Sequence, residues 1–328
     1  MLRVSASPHI RDRVSTRSVM LHVIIALVPV IIASYFIFGW RALMLFAVSA
    51  CSAVLFEALS RIVMKRKQTV GDLSAVVTGL LLAASLPATC PVWVLLIGNF
   101  VAIVVVKQMF GGLGENFANP AVTARIVLSV SFTAQISTFS VLGRFIGSDL
   151  ASSSTYLESI GKTTTDLVSS STPLAIAAQG QPYLPSALDL FFGRHAGCIG
   201  ETSVIALLIG GLYLLMTGII DVWAPLTFSG TTVLFTWATG QDVLVHLLSG
   251  ALILAAFFMV TDYVTTPTTI PGKIIFGIGA GLLTGLLRVF SAMPEGVSFA
   301  VLLMNILTPH IERWTTPLTI GGVKHVKS

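Results

Sequence analysis

Asp166-Leu167-Val168-Ser169-Ser170-Ser171-Thr172-Pro173 is the stretch whose residue types most directly offer chemistry. An acid followed by three serines and a threonine presents a row of hydroxyl oxygens, and such an oxygen can be esterified to phosphorus where a modifying enzyme can reach it. Consecutive serines and Pro173 resist regular helix, so an exposed, flexible backbone is expected there, with small neighbours leaving Thr172 unshielded. A Ser/Thr-rich linker has the same appearance, since Thr163, Thr164 and Thr165 precede the stretch. The second chemical set is acidic. Glu57, Asp72, Glu115, Asp262 and Glu295 interrupt or flank apolar runs, where a carboxylate is costly and therefore a functional candidate. Glu57 and Asp72, near run ends, read as interfacial or helix-terminal acids. Glu115 and Glu295 lie in Gly/Pro-broken links whose freed carbonyls could join a carboxylate in coordinating a cation, and Asp262 stands in a third such element, Thr-Asp-Tyr-Val-Thr-Thr-Pro at 261–267.

Other chemistries find no support. The six histidines include no i, i+4 pair, and Cys51, Cys90 and Cys198 stand far apart with no CxxC spacing, so neither a metal constellation nor an iron–sulfur cluster is expected from this chain alone. No nucleophile elbow, P-loop or dinucleotide fingerprint occurs. Redox chemistry would therefore need a borrowed cofactor. Lys and Arg collect at the ends of apolar runs instead of forming a basic face, which excludes nucleic acid as the reading of the +5 net charge.

The elements that must position these residues are membrane spans. In 328 residues the hydrophobic share is 55% and the charged share 10%, with a mean hydropathy of +0.91, outside the range of soluble globular chains. The pattern predicts an all-α polytopic membrane protein embedded in the lipid bilayer, with apolar runs at 19–38, 42–63, 73–86, 92–109, 121–132, 199–220, 223–238, 244–260, 274–290 and 297–307. Run five is short for a crossing, which predicts a broken helix. Arg3, Arg11, Arg13 and Arg17 before the first run, the cluster Arg61, Lys65, Arg66, Lys67, and Arg313, Lys324 and Lys327 at the end predict cytoplasmic termini. The expected organisation is a cytoplasmic segment 1–18, a first membrane repeat 19–134, an external loop 135–198, a second membrane repeat 199–312 and a cytoplasmic tail 313–328. A short amphipathic stretch, 184–194, leads from the loop back to the membrane interface.

Sliding the chain by 180 residues superposes Pro87 and Pro91 on Pro267 and Pro271, Phe110 on Phe290, and Glu115 on Glu295. That offset spans five crossings, an odd number, so the ten predicted helices form two inverted five-helix repeats. A channel or secondary transporter for a small solute would share this architecture.

Gly-Gly-Leu-Gly-Glu-Asn-Phe-Ala-Asn-Pro at 111–120, Thr-Asp-Tyr-Val-Thr-Thr-Pro at 261–267, Pro-Glu-Gly-Val-Ser-Phe-Ala at 294–300 and the Asp166 to Thr172 pattern together resemble the D subunit of the Rnf electron-transport complex, akin to the B subunit of the sodium-pumping NADH:quinone reductase. The likeness covers nearly the whole chain, and the length favours the Rnf subunit. It implies an integral subunit of a prokaryotic cytoplasmic (inner) membrane complex that couples electron transfer between ferredoxin and NAD to sodium or proton translocation, catalytic only with its partner subunits. It further implies FMN esterified to Thr172 by a flavin transferase that reads Asp166, Ser169, Ser170 and Ser171, with a second, non-covalent riboflavin among the spans. Ser171 departs from the Ala or Gly common before the threonine in such signals.

Overall fold

The computed structural model describes residues 15–139, 172–178, 185–291 and 296–317. They are helical, with no strand among them. Helix α1 (Thr16–Phe38) is capped by the Ser15 hydroxyl on the Ser18 N–H and ends at Gly39, the single residue before α2 (Trp40–Val63). Gly39 has φ +74°, which a side chain would resist, and this lets the chain reverse in one residue. After a 3-10 turn at Val70–Asp72 come α3 (Ser74–Ala84) and α4 (Val92–Phe100), which continues as π-helix over Val101–Gln108. Next follow α5 (Pro120–Ser131) and the one-turn α6 (Thr133–Ile136).

Two short helices, α7 (Pro173–Ala178) and α8 (Ala187–Phe192), lead to the second half. It contains α9 (Val204–Met216), α10 (Trp223–Ala238), α11 (Val243–Leu248), α12 (Leu252–Phe258), α13 (Ile270–Phe290) and α14 (Val297–Thr315).

Among the described residues three helices, α1, α2 and α13, are long and apolar enough to cross a membrane, and α3, α4 with its π extension, α5 and α9 are shorter apolar helices. On α1 the exposed apolar side chains Leu21, Ile25, Val28, Ile32 and Phe36 recur every three or four residues, a stripe suited to lipid or a partner subunit, while Leu27, Val30 and Ser34 face inward. All five tryptophans are exposed and stand within two residues of a helix end, where amphipathic rings anchor to the membrane–water interface. The chain is thus built as a polytopic membrane protein.

Small residues allow the closest packing. Gly277, Gly281 and Gly285 line the face of α13 that meets α10; a Cβ at Gly281 would stand 2.6 Å from the Phe228 carbonyl oxygen, and the Thr232 hydroxyl donates to the Gly281 carbonyl at 3.2 Å. The first half has a counterpart, in which the Ser49 hydroxyl of α2 donates to the Gly79 carbonyl of α3 at 2.7 Å.

Two predicted spans are interrupted. The run 244–260 divides into α11 and α12 at Ser249, Gly250 and Ala251, because Gly250 takes φ +67° and the Arg288 guanidinium donates to the freed His246 and Ser249 carbonyls. The run 199–220 becomes helical only at Val204, since the Ile199 and Gly200 N–H groups donate to the Leu86 and Ala84 carbonyls at 2.9 and 2.7 Å. Those bonds join the start of the second half to the C-terminal end of α3.

Candidate functional site

The first polar cluster is built on the π-helical segment. Its wider turn, in which the Met109 N–H bonds to the Val104 carbonyl five residues back, accompanies burial of both Lys107 and Gln108. Lys107 Nζ donates to Glu57 Oε2 at 3.0 Å and to Ser74 Oγ at 2.6 Å. Glu57 Oε1 accepts from Gln108 Nε2 at 3.0 Å and from the Thr69 hydroxyl at 2.8 Å. Glu57 is fully buried, so the expectation of an interfacial acid is corrected: α2 carries it inward, where Lys107 compensates its charge. Asp72 is a helix-terminal acid as expected, its Oδ1 accepting the Ser74 N–H at 2.8 Å at the start of α3. The signal for the pair in the sequence is a charge of each sign in separate apolar runs.

The second cluster brings together two motifs 143 residues apart. Asn119 caps α5 through Oδ1, which accepts the Ala121 and Val122 N–H groups, while its Nδ2 donates to Asp262 Oδ2 at 3.1 Å. Asp262 Oδ2 also accepts the Thr265 hydroxyl at 3.2 Å, and Oδ1 the Val264 N–H at 3.2 Å. Asn305 of α14, its amide oriented to satisfy both neighbours, links the Thr265 carbonyl to the Asn119 N–H. Lys107, Asn119, Asp262 and Tyr263 line one cleft between the halves. Glu115 stands apart from it, exposed on the turn after the π-helix. Nearby, Gly112 has φ +114° and holds the Arg61 guanidinium where a Cβ would sit. Glu295 lies outside the described residues.

Thr172 is 6% exposed, against the expectation of an open, flexible site. Pro173 occupies the first helical position, where its missing N–H costs nothing, and the Thr172 hydroxyl accepts the Ala175 N–H at 3.3 Å, so the segment expected to resist helix starts one. Leu174 then packs with Leu190 and Val245 in a small apolar core. At Gly250 a Cβ would meet Leu174 Cδ1 at 2.7 Å and Arg288 Nη2 at 2.9 Å, which brings a buried guanidinium close to the α7 segment. Asp166, Ser169, Ser170 and Ser171 lie outside the described residues.

A third cluster, which no sequence motif singles out, occupies the turn between α8 and α9. His195, Cys198, Glu201 and Thr202 are all buried, and Arg125 of α5 directs Nη1 to Cys198 Sγ at 3.3 Å. Glu201 Oε1 accepts the Cys198 N–H at 2.9 Å. Burial holds His195 below the ordinary imidazole range. The only visible signal is the density of polar residues entering an apolar run.

Comparison with known proteins agrees over nearly the full length. The model of the NQR2, RnfD, RnfE family matches residues 3–321. The chain is 44% identical over 326 residues to the D subunit of the Na(+)-translocating ferredoxin:NAD(+) oxidoreductase complex of Acetobacterium woodii, covering 98% of this chain and 96% of that one. It is 38% identical over 334 residues to the D subunit of the proton-translocating ferredoxin:NAD(+) oxidoreductase complex of Clostridium ljungdahlii, covering 97% and 96%. With the D subunit of the ion-translocating oxidoreductase complex of Escherichia coli it shares 37% over 353 residues, 99% of each. The chain belongs to the NQR2, RnfD, RnfE family.

Proposed function

We propose that this chain is the D-type subunit of an Rnf ion-translocating complex that moves electrons between ferredoxin and NAD and couples them to sodium or proton transport, with FMN esterified to Thr172. The observation that carries the reading is the near-full-length likeness to the D subunits of such complexes. Support for the tether comes from the hydroxyl of Thr172 and from Arg288, whose cation lies close enough to the α7 segment to balance a phosphoester. The flavin, when bound, supplies electron transfer at a potential that the chain tunes. The chain's own part is to present Thr172 Oγ, whose new bond to phosphorus replaces the bond from that phosphorus to the leaving group of the flavin donor, the hydroxyl proton departing with that group, and then to bury the linkage by docking Leu174 on Leu190 and Val245. Because Thr172 is buried once α7 is docked, the transferase acts before docking.

The two-repeat architecture of ten spans is supported by matching contacts. The first helices of the two halves, α1 and α9, pack together, as do the last, α5 and α14; within the halves α4 with its π extension packs on α2 and α5, as α13 packs on α10 and α14. In the proposed topology both termini are cytoplasmic, the 135–198 loop is external, and the prokaryotic inner membrane holds the complex. The cleft lined by Lys107, Asn119 and Asp262 suits the second, non-covalent riboflavin, since it offers both donors and acceptors between the repeats. Asp262, Glu115 and Glu295 remain the proposed ion-path acids, to be tested by ion uptake per electron in Gln or Asn variants.

The deciding experiment is mass spectrometry of the peptide spanning Thr172 from chain made with and without a flavin transferase. The proposal requires a gain of FMN less one water on Thr172, lost in Thr172→Ala. Added mass on a neighbouring serine, or none with the transferase present, overturns the assignment of the tether to Thr172.

A further inference from the structure

Where α2 ends, two buried cations, Arg61 and Lys107, share one buried carboxylate. Glu57 serves Lys107 with one oxygen and Gln108 and Thr69 with the other. Arg61 follows Glu57 by four residues on the same helix, the spacing at which a carboxylate and a guanidinium ordinarily pair. Yet among the described residues the Arg61 guanidinium has neither a hydrogen bond nor an ion pair. Its side chain is 9% exposed, and its Nε is sealed from solvent. A guanidinium held there without a counter-ion carries a large cost of burial, so the site is built for an anion.

The surroundings add positive charge. Lys65, Arg66 and Lys67 follow directly and are exposed. The Arg66 N–H donates to the Arg61 carbonyl at 2.9 Å, and its Nη1 donates to the Gln108 carbonyl at 3.1 Å, which ties a second guanidinium to the π-helical segment. Gly112, at φ +114°, sets bare backbone against Arg61 Nη2. Gln108 Oε1, which also lacks a partner, lies 3.8 Å from the place of the absent Gly112 Cβ; being neutral, it can orient the guanidinium but offsets no charge.

Charge and place together identify the ligand. A guanidinium fork suits the oxygens of a phosphate or a carboxylate. Arg61 stands in the last turn of a helix long enough to cross a membrane, and exposed apolar side chains flank the site on both segments, Ile62 and Val63 after Arg61, Met109 and Phe110 before Gly112. A soluble anion makes no use of them, whereas a lipid brings phosphate and acyl chains to the interface together.

We infer that Arg61, with Arg66 beside it and Gly112 against its fork, binds the phosphate of an anionic phospholipid at the end of α2. The site depends on neither the flavin tether nor the electron path. Two other counter-ions compete for it: Glu115, exposed on the turn after the π-helix with its Cγ packed over Gly111, and a carboxylate of a partner subunit. The test uses the full-length chain, delipidated in a neutral maltoside detergent, and reads melting temperature against added phosphatidylglycerol, phosphatidylcholine or inorganic phosphate. Phosphatidylglycerol raises the melting temperature saturably, and Arg61→Gln raises the lipid concentration for half of that rise about tenfold. Phosphatidylcholine, whose phosphate carries its own cation, produces a smaller rise. Without lipid the same variant acts with the opposite sign and melts above wild type, because an unpaired buried charge is gone. Lys65→Gln combined with Lys67→Gln, both exposed, shifts the midpoint far less than Arg61→Gln. A lipid-free Arg61→Gln chain that melts below wild type, with the same loss in Glu115→Gln, means that Glu115 already serves the guanidinium and overturns the site. Equal rises with phosphatidylglycerol and phosphatidylcholine, or with inorganic phosphate at the same concentration, overturn the anionic lipid as the source. Loss of the response in the double lysine variant overturns Arg61 as its seat. A stabilised Arg61→Gln chain whose wild type ignores lipid overturns the proposal in favour of a partner subunit's carboxylate.

Discussion

Glu57 and Glu201 are both buried carboxylates in a membrane bundle, and the protein treats them differently. Glu57 has three partners of its own chain, with Lys107 on one oxygen and Gln108 and Thr69 on the other. Glu201 has one backbone N–H on Oε1 and no hydrogen bond on Oε2. Asp262 resembles Glu57, with both oxygens engaged by Asn119, Thr265 and Val264. A carboxylate that the chain saturates also joins the helices that supply its partners, because its cost of burial is already offset, and Asp262 does this while it lines the cleft. One left half-saturated bears a cost of burial that its own chain does not offset.

The sharpest way to break this contrast is to remove the cation from the saturated site. Lys107→Met strands the charge of Glu57 in a fully buried position and should cost about 3–5 kcal/mol, read as loss of melting temperature and of folded yield in detergent. Glu57→Gln combined with Lys107→Met removes both charges and should recover most of that loss. A well-folded Lys107→Met chain would mean that the pair is not the joint described. A smaller effect is expected at the other saturated acid. Asn119→Ala deletes the cap of α5 and one partner of Asp262, at a combined cost of about 1–3 kcal/mol, and hydrogen exchange at the Ala121 and Val122 amides should accelerate before the rest of the bundle does.

Much of the fold is legible in the sequence because apolar run length maps directly onto helix: 19–38 and 42–63 become α1 and α2, and the charge pattern correctly separates them from soluble helices. What run length cannot carry is an interruption whose cause is distant. Nothing local announces that Arg288 will take the carbonyls freed between α11 and α12, or that Leu86 and Ala84 will hold Ile199 and Gly200 out of a helix. The site is legible in part. The motifs around Asn119 and Asp262 stand out in the sequence, and only the fold reveals that they touch. Glu57 departs from its expected interfacial place because nearness to a run end says nothing about Lys107, which lies 50 residues away. Thr172 departs from its expected openness because Pro173, a breaker inside a helix, is a starter at the first helical position.

The smallest predicted effect sharpens the contrast through pH. His195 belongs to the incomplete turn, and burial lowers its pKa, opposed by the Ala196 carbonyl and the charges of Glu201 and Asp189; Arg125, on Cys198, adds a positive charge to the same turn. A histidine depressed in the folded state stays neutral there while the unfolded chain takes up a proton below about pH 6.5. The unfolded state then binds more protons, so stability must fall as pH drops through that value, by at most about 1.4 kcal/mol per pH unit for this one group. His195→Gln removes the titration and should flatten that part of the profile between about pH 7.5 and 5.5, measured as melting temperature in detergent against wild type. Parallel profiles would mean that His195 accepts its proton without unfolding, and that the turn is more open to solvent than its burial implies. Lys107→Met offers the control, since its loss comes from a stranded charge with no histidine in contact and should persist at about pH 7.5, where His195 contributes nothing to the slope.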